Sequence, residues 1–338
     1  MKKLYLLFAL PVLLFGFITL NPDKAEETPA SIQLKKINAA GCSSYSGNEG
    51  DIRVARDGKF ITVLPGWGTH TYSISTKNDS AQFYFNQGLN MYYGYHWREA
   101  WASSKESARF DPGSAMSYWG EALAMGPGYN FSLHYRMRKE VPEALEKMNQ
   151  HSSQANPREK KLIEIMNSRY DGDSADANRA SLNIAYAKGL RELINEYPED
   201  PEIKTFYIDA VMLVHPWDFW KNDGTPKAWT PEVVGFCKDV LKENPRHPAA
   251  LHYYIHITEA SRHPEVALHS ADILKDLQPG IAHMVHMASH EYERNGLYAK
   301  GVVVNDKADE DLNLYKSLAP DIDLHSRVSH YYAVQTYC

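Results

Sequence analysis

His252 and His256 stand four residues apart, as do His286 and His290, and Glu259 and Glu293 each lie three residues beyond the second histidine of a pair. On a helix a spacing of four stacks both imidazoles on one face, one turn above the other. Neutral imidazole ligates zinc, copper, nickel or iron, and three or four such nitrogens with a carboxylate nearby satisfy common coordination geometries. With His283 beside the second pair, the candidate ligands of a transition metal are His252, His256, His283, His286, His290 and Glu259. A three-histidine centre with an open position can activate water, with Glu259 or Glu293 as base. No recognisable catalytic motif accompanies them. A zinc-protease helix needs glutamate directly after its first histidine, whereas Tyr253 follows His252 and Met287 follows His286, which argues against a metalloprotease.

The two clusters are copies. Adding 34 to 252, 256 and 259 gives 286, 290 and 293, and the same offset carries Pro245 to Pro279 and Ala267 to Gly301. A period of this length belongs to units of two packed helices. The clear units are 81–114, 248–281 and 282–315. In the first, Gly88, Ala100, Ala108 and Pro112 fall eighth, twentieth, twenty-eighth and thirty-second, where close helix packing admits only small side chains and where the loop turns. Further helical patterns cover 158–170, 177–196 and 201–214. Gly126-Pro127-Gly128 breaks a second unit that begins at Ala115. Residues 215–229 form an insertion carrying Trp217, Asp218, Trp220 and Trp229, either packed under the array or part of a site.

With those small residues in place, the chain resembles a tetratricopeptide-repeat (TPR) protein over roughly residues 80–315. More narrowly, 81–89, Pro216-Trp217-Asp218, 251–256 and 283–290 are similar to stretches of bacterial, often exported, repeat proteins of largely unassigned function. The resemblance implies an all-α TPR-type helical-pair solenoid, a superhelix over residues 79–338; ahead of it, short β-like runs at 60–64 and 71–74 around Gly66-Trp67-Gly68 read as a small extended cap at 51–78. It also implies that the fifth, ninth and twelfth positions of each first helix face a concave groove, which places His252, His256, Glu259, His286, His290 and Glu293 there. Phe85, Tyr92 and Trp119 occupy groove positions in the early units, and His70, Trp217 and Asp218 are further candidate groove contacts. Neighbouring first helices pack about 10 Å apart, close enough for histidines of two units to share an ion.

Two readings compete with metal or small-molecule binding. A repeat groove can recognise a peptide or partner protein without metal, or the histidines can form a buried polar network. The remaining histidines read as loop or surface residues: His70 and His134 in loops, His247, His263 and His269 at caps and on second helices. His325 and His330, five apart, do not share a helix face.

Interspersed charges, a net charge of −6 and a pI near 6.2 leave no basic footprint for nucleic acid. Met1-Lys2-Lys3 followed by an apolar run from Leu4 to Leu20 reads as a signal peptide or N-terminal membrane anchor over 1–20, with 21–50 as a flexible linker. The chain is therefore expected in the periplasm or cell envelope of a bacterium, touching membrane only through that segment. Ala39-Ala40-Gly41-Cys42 mimics a lipoprotein box but stands about twenty residues too far downstream. Cys42, Cys237 and Cys338 are too few and too scattered for a disulfide framework. The last amphipathic pattern carries no polar capping helix, so the end is expected to continue or to pack on a partner.

Overall fold

The computed structural model describes residues 52, 54–55, 57–130, 135–173, 175–318 and 328–338, which fall within one unit, Gly41–Cys338. The N-terminal segment 1–20, the linker 21–50 with Cys42, and His134 and His325 lie outside the described residues. Among the described residues there are thirteen α-helices and no strand: α1 (Asp79–Tyr93), α2 (Trp97–Phe110), α3 (Ala115–Ala124), α4 (Val141–Gln150), α5 (Pro157–Asn167), α6 (Arg179–Glu196), α7 (Pro201–Val214), α8 (Thr230–Glu243), α9 (Pro248–Thr258), α10 (Leu268–Leu277), α11 (Ala282–Arg294), α12 (Tyr298–Leu318) and α13 (Val328–Tyr337). None of them is long and apolar enough to cross a membrane.

Local chemistry sets the helix starts. Asn78 caps α1 by accepting from the backbone of Ser80 and Ala81, Asn156 and Glu159 form a reciprocal capping box on α5, and Asp200 caps α7 ahead of Pro201. Consecutive helices pack as neighbouring pairs along most of the chain. The α1–α2 contact is close enough that a β-carbon on Gly88 would lie 3.0 Å from the Ala100 carbonyl, which explains the small residues of the first unit.

Early and late helices also meet. α1 packs on α9, with Tyr93 and Tyr253 in edge contact at 6.4 Å between ring centroids, so the inner faces of distant units enclose one another. Phe85, Tyr92 and Trp119, expected on an open groove, are core residues here, none more than 2% exposed. Their apolar area is better satisfied against the returning helices than in water.

The expected cap, residues 57–78, is extended without forming strands. Its backbone is instead paired by carboxamides of α1 at positions 82, 86, 87 and 90, which share one helix face. Leu64 N–H donates to Gln87 and Tyr72 N–H to Asn86, while Gln87, Gln82 and Asn90 donate to the carbonyls of Thr62, Tyr72 and His70. These side chains do for the segment what a neighbouring strand would otherwise do. Farther along, Gly280 N–H donates to Gly66 O at 2.9 Å, Gln278 to Trp67 O, and Tyr315 of α12 to Pro65 O. A β-carbon at Gly280 would sit 2.1 Å from Pro65 O, so only glycine fits there.

The insertion packs under the array. Trp220 donates to Ile257 O at the end of α9, Trp229 donates to Asp218 O, and Phe219 is buried. Asp218 pairs with Lys227 at 2.9 Å and stays away from the histidines.

Candidate metal centre

α9 and α11 bring the two histidine pairs into one interior, where His252, His256, His283 and His286 are each at most 2% exposed. They separate into two trios. His252, His256 and His283 form the first; His286 and His290 join His330 of α13 to form the second. In each trio the ligand nitrogens lie within 4.8 Å of one another. Ring centroids of His256 and His290 are 6.3 Å apart, and those of His283 and His286 5.8 Å, so the trios adjoin.

The outer nitrogens show which lone pairs face inward. His252 Nδ1 contacts the Tyr93 carbonyl at 2.6 Å, and a carbonyl only accepts, so the proton is on Nδ1 and the Nε2 lone pair points 3.1 Å toward His283 Nε2. His286 Nδ1 lies 2.6 Å from Asn305 Oδ1. The Asn305 amide is oriented by its own donation to Gly301 O, so His286 also carries its proton on Nδ1. Its Nε2 faces His290 Nε2 at 3.1 Å. Glu259, at the C-terminal end of α9, sets its two oxygens on different trios: Oε1 is 3.2 Å from His256 Nδ1 and Oε2 3.3 Å from His290 Nδ1. Arg294 of α11 donates to the carbonyls of Glu259 and Ser261, fixing that helix end. Outward Nδ1–H donation with inward Nε2 is how metal-binding histidines are commonly held.

With bonds near 2.1 Å, two nitrogens 3.1 Å apart subtend about 95° at an ion between them, and tetrahedral edges are about 3.4 Å. Each trio could close on an ion with side-chain shifts of about 1 Å. Burial pushes His252 and His286 well below the ordinary imidazole value, helped by the neighbouring histidines. Burial also lowers His290, against the opposing pull of Glu259. These three rings are thus held toward the neutral form. Glu259 is raised by burial, with His290 and Arg294 opposing.

Two aromatic residues at this site adopt left-handed backbone, uncommon for bulky side chains: Tyr95 at φ 57° and Trp217 at φ 60°. Tyr95 is buried with its ring centroid 4.5 Å from that of His252 and 5.7 Å from that of His256, and Trp217 meets His256 edge-on at 5.4 Å while stacking on Tyr129. Such strain persists where surroundings enforce it, often at functional sites. Trp217, 44% exposed, stands between the first trio and solvent.

A third group, His70, Glu202 and His247, sits where the extended segment crosses α7 and α9. His247 Nδ1 accepts from Ala250 N–H as the cap of α9, so its Nε2–H donates to Glu202 Oε1 at 2.9 Å. His70 Nε2 lies 2.7 Å from the same oxygen, and Tyr93 donates to the other. Burial alone would raise the Glu202 carboxyl, but His247 and His70 outweigh it and hold it well below the usual range. Both nitrogens of His247 are spent, so this group fastens the segment instead of offering a ligand set.

The structure brings together His252, His256, His283, His286, His290 and Glu259. Glu293 belongs to none of the three groups, and His70 joins the Glu202 group. His330, Asn305, Tyr95, His247 and Glu202 complete the interior without being singled out by the sequence pattern. Neither a protein-family model nor a curated protein matches the chain.

Proposed function

We propose that this chain is a transition-metal-binding helical-repeat protein whose enclosed histidine core takes up zinc, copper, nickel or iron. The observation carrying this reading is the convergence of six buried or half-buried histidines in two trios, each with its ligand nitrogens within 4.8 Å of one another, and with Nδ1 of His252 and His286 directed to acceptor oxygens so that their Nε2 lone pairs face inward. Burial lowers both imidazoles of the facing pair His286 and His290, which keeps them in the neutral form that can ligate a metal.

The tetratricopeptide-type path of the helices and an exported, cell-envelope location are part of the same proposal. They are supported by the 34-residue register and by the Lys2-Lys3 and Leu4-to-Leu20 pattern. Recognition of a peptide by the histidines is less well supported, since their side chains are enclosed.

The test is elemental analysis of dialysed protein lacking residues 1–22, exposed to zinc or copper at stoichiometric levels, alongside the double variant His252→Ala, His286→Ala. Stoichiometric metal in the parent and its loss in the folded double variant are expected. A parent protein that remains metal-free after exposure overturns the reading.

A further inference from the structure

Glu259 touches a histidine of each trio through separate oxygens, Oε1 on His256 and Oε2 on His290. We infer that Glu259 is a positioning residue shared by two metal sites, so that the core holds two coupled ions, one per three-histidine set. This rests on the metal-binding reading and adds the number of ions and the link between them.

Only a carboxylate can play this part. One oxygen is in hydrogen-bond geometry with His256 Nδ1 and the other lies 3.3 Å from His290 Nδ1, so a carboxylate can accept from both Nδ1–H groups and direct Nε2 of each ring toward its own trio. Outer partners of this kind typically contribute 10–100-fold in metal affinity. A glutamine has one acceptor oxygen and an NH2 that only donates. Its oxygen keeps the contact with His256, which already has hydrogen-bond geometry, and its NH2 meets His290 Nδ1. His290 then shifts its proton to Nε2 and ceases to be a ligand. Charge supports the linkage: two dications in adjoining sites repel, and one shared anion offsets part of that repulsion in both. The second ion accordingly binds more weakly than the first. The glutamine variant loses His290, so the second ion is assigned to the His286, His290, His330 site, whose His290 and His330 are only half-buried and whose His290 lacks hydrogen-bond geometry to Glu259.

Copper(II) is the probe. Apo-protein is titrated with copper, bound ions are counted, and electron paramagnetic resonance spectra are taken after one and two equivalents. The wild type is expected to bind two ions, with an isolated-copper spectrum after the first and a spectrum broadened by the neighbouring ion after the second. Glu259→Gln, checked for folding by circular dichroism, is expected to retain one ion, to bind the other 10–100-fold more weakly, and to keep the isolated spectrum throughout. His290→Ala should give the same result, and combining it with Glu259→Gln should cost no further ion. A wild type that binds one ion, two ions without magnetic interaction, or an unchanged second affinity in Glu259→Gln overturns the shared-carboxylate inference while leaving metal binding standing. A wild type that binds no copper overturns both. If Glu259→Gln does not fold, His290→Ala against His330→Ala decides, since each must remove only the second ion.

Discussion

The histidines around Glu259 and those around Glu202 are built from the same residue types and wired in opposite senses. Around Glu259, protons face outward to a carbonyl, an amide oxygen and a carboxylate, leaving Nε2 atoms converging on one another. Around Glu202, Nε2 atoms converge on the carboxylate itself, and His247 spends its other nitrogen on a helix cap. Composition and proximity are therefore poor guides to metal binding. Which nitrogen faces inward decides whether three groups form a ligand set or a fastening.

The contrast is broken most severely at Glu202. Glu202→Ala leaves half-buried His70 and buried His247 and Tyr93 without their acceptor, and breaking buried charged networks of this kind costs about 3–5 kcal/mol. Denaturant titration should register that loss. Metal bound per folded chain should remain at the wild-type value, and a loss of metal in the folded fraction would merge the two regions into one.

Acid sharpens the comparison. Imidazoles held below 6.5 in the folded protein bind more protons when unfolded, so His252, His286 and His290 contribute their full stability above pH 6.5 and lose it as pH falls from there. Glu202, held below its ordinary 4.5, keeps its contribution until pH drops under about that value. Stability of apo-protein measured against pH should fall in two stages, each group costing about 1.4 kcal/mol per unit of its shift. Zinc should move the first stage to lower pH and leave the second in place.

The smallest expected effect concerns access. Trp217→Gly relieves left-handed strain worth about 1 kcal/mol, which offsets part of the lost ring packing, so the melting temperature should change little. A chelator should strip metal from this variant faster than from wild type. Unchanged release kinetics would remove Trp217 as the cover of the first trio.

Much of the helical scaffold is legible in the sequence. The units at 81–114, 248–281 and 282–315 each contain a helix pair, because small residues and turn residues fall where packing demands them. Five of the six histidines were legible for the same reason. His330 was not: adding 34 to 286 reaches Pro320, so the sixth ring enters off register through the docking of α13. The Glu202 group joins positions 70, 202 and 247, a nonlocal contact no spacing encodes. The left-handed turns at Tyr95 and Trp217 leave only a trace, Gly94 and Pro216 directly before them.

The clasp between Gly66 and Gly280 has a consequence for how the molecule comes apart. Stacked repeats ordinarily melt piecewise, each unit depending only on its neighbours. Here the 65–70 segment is tied to α7, α9, the 278–280 turn and α12, so the first helix pair and α12 cannot separate independently of one another. Such long-range closure slows assembly and makes unfolding cooperative, a single sharp transition where an open array would give a graded one.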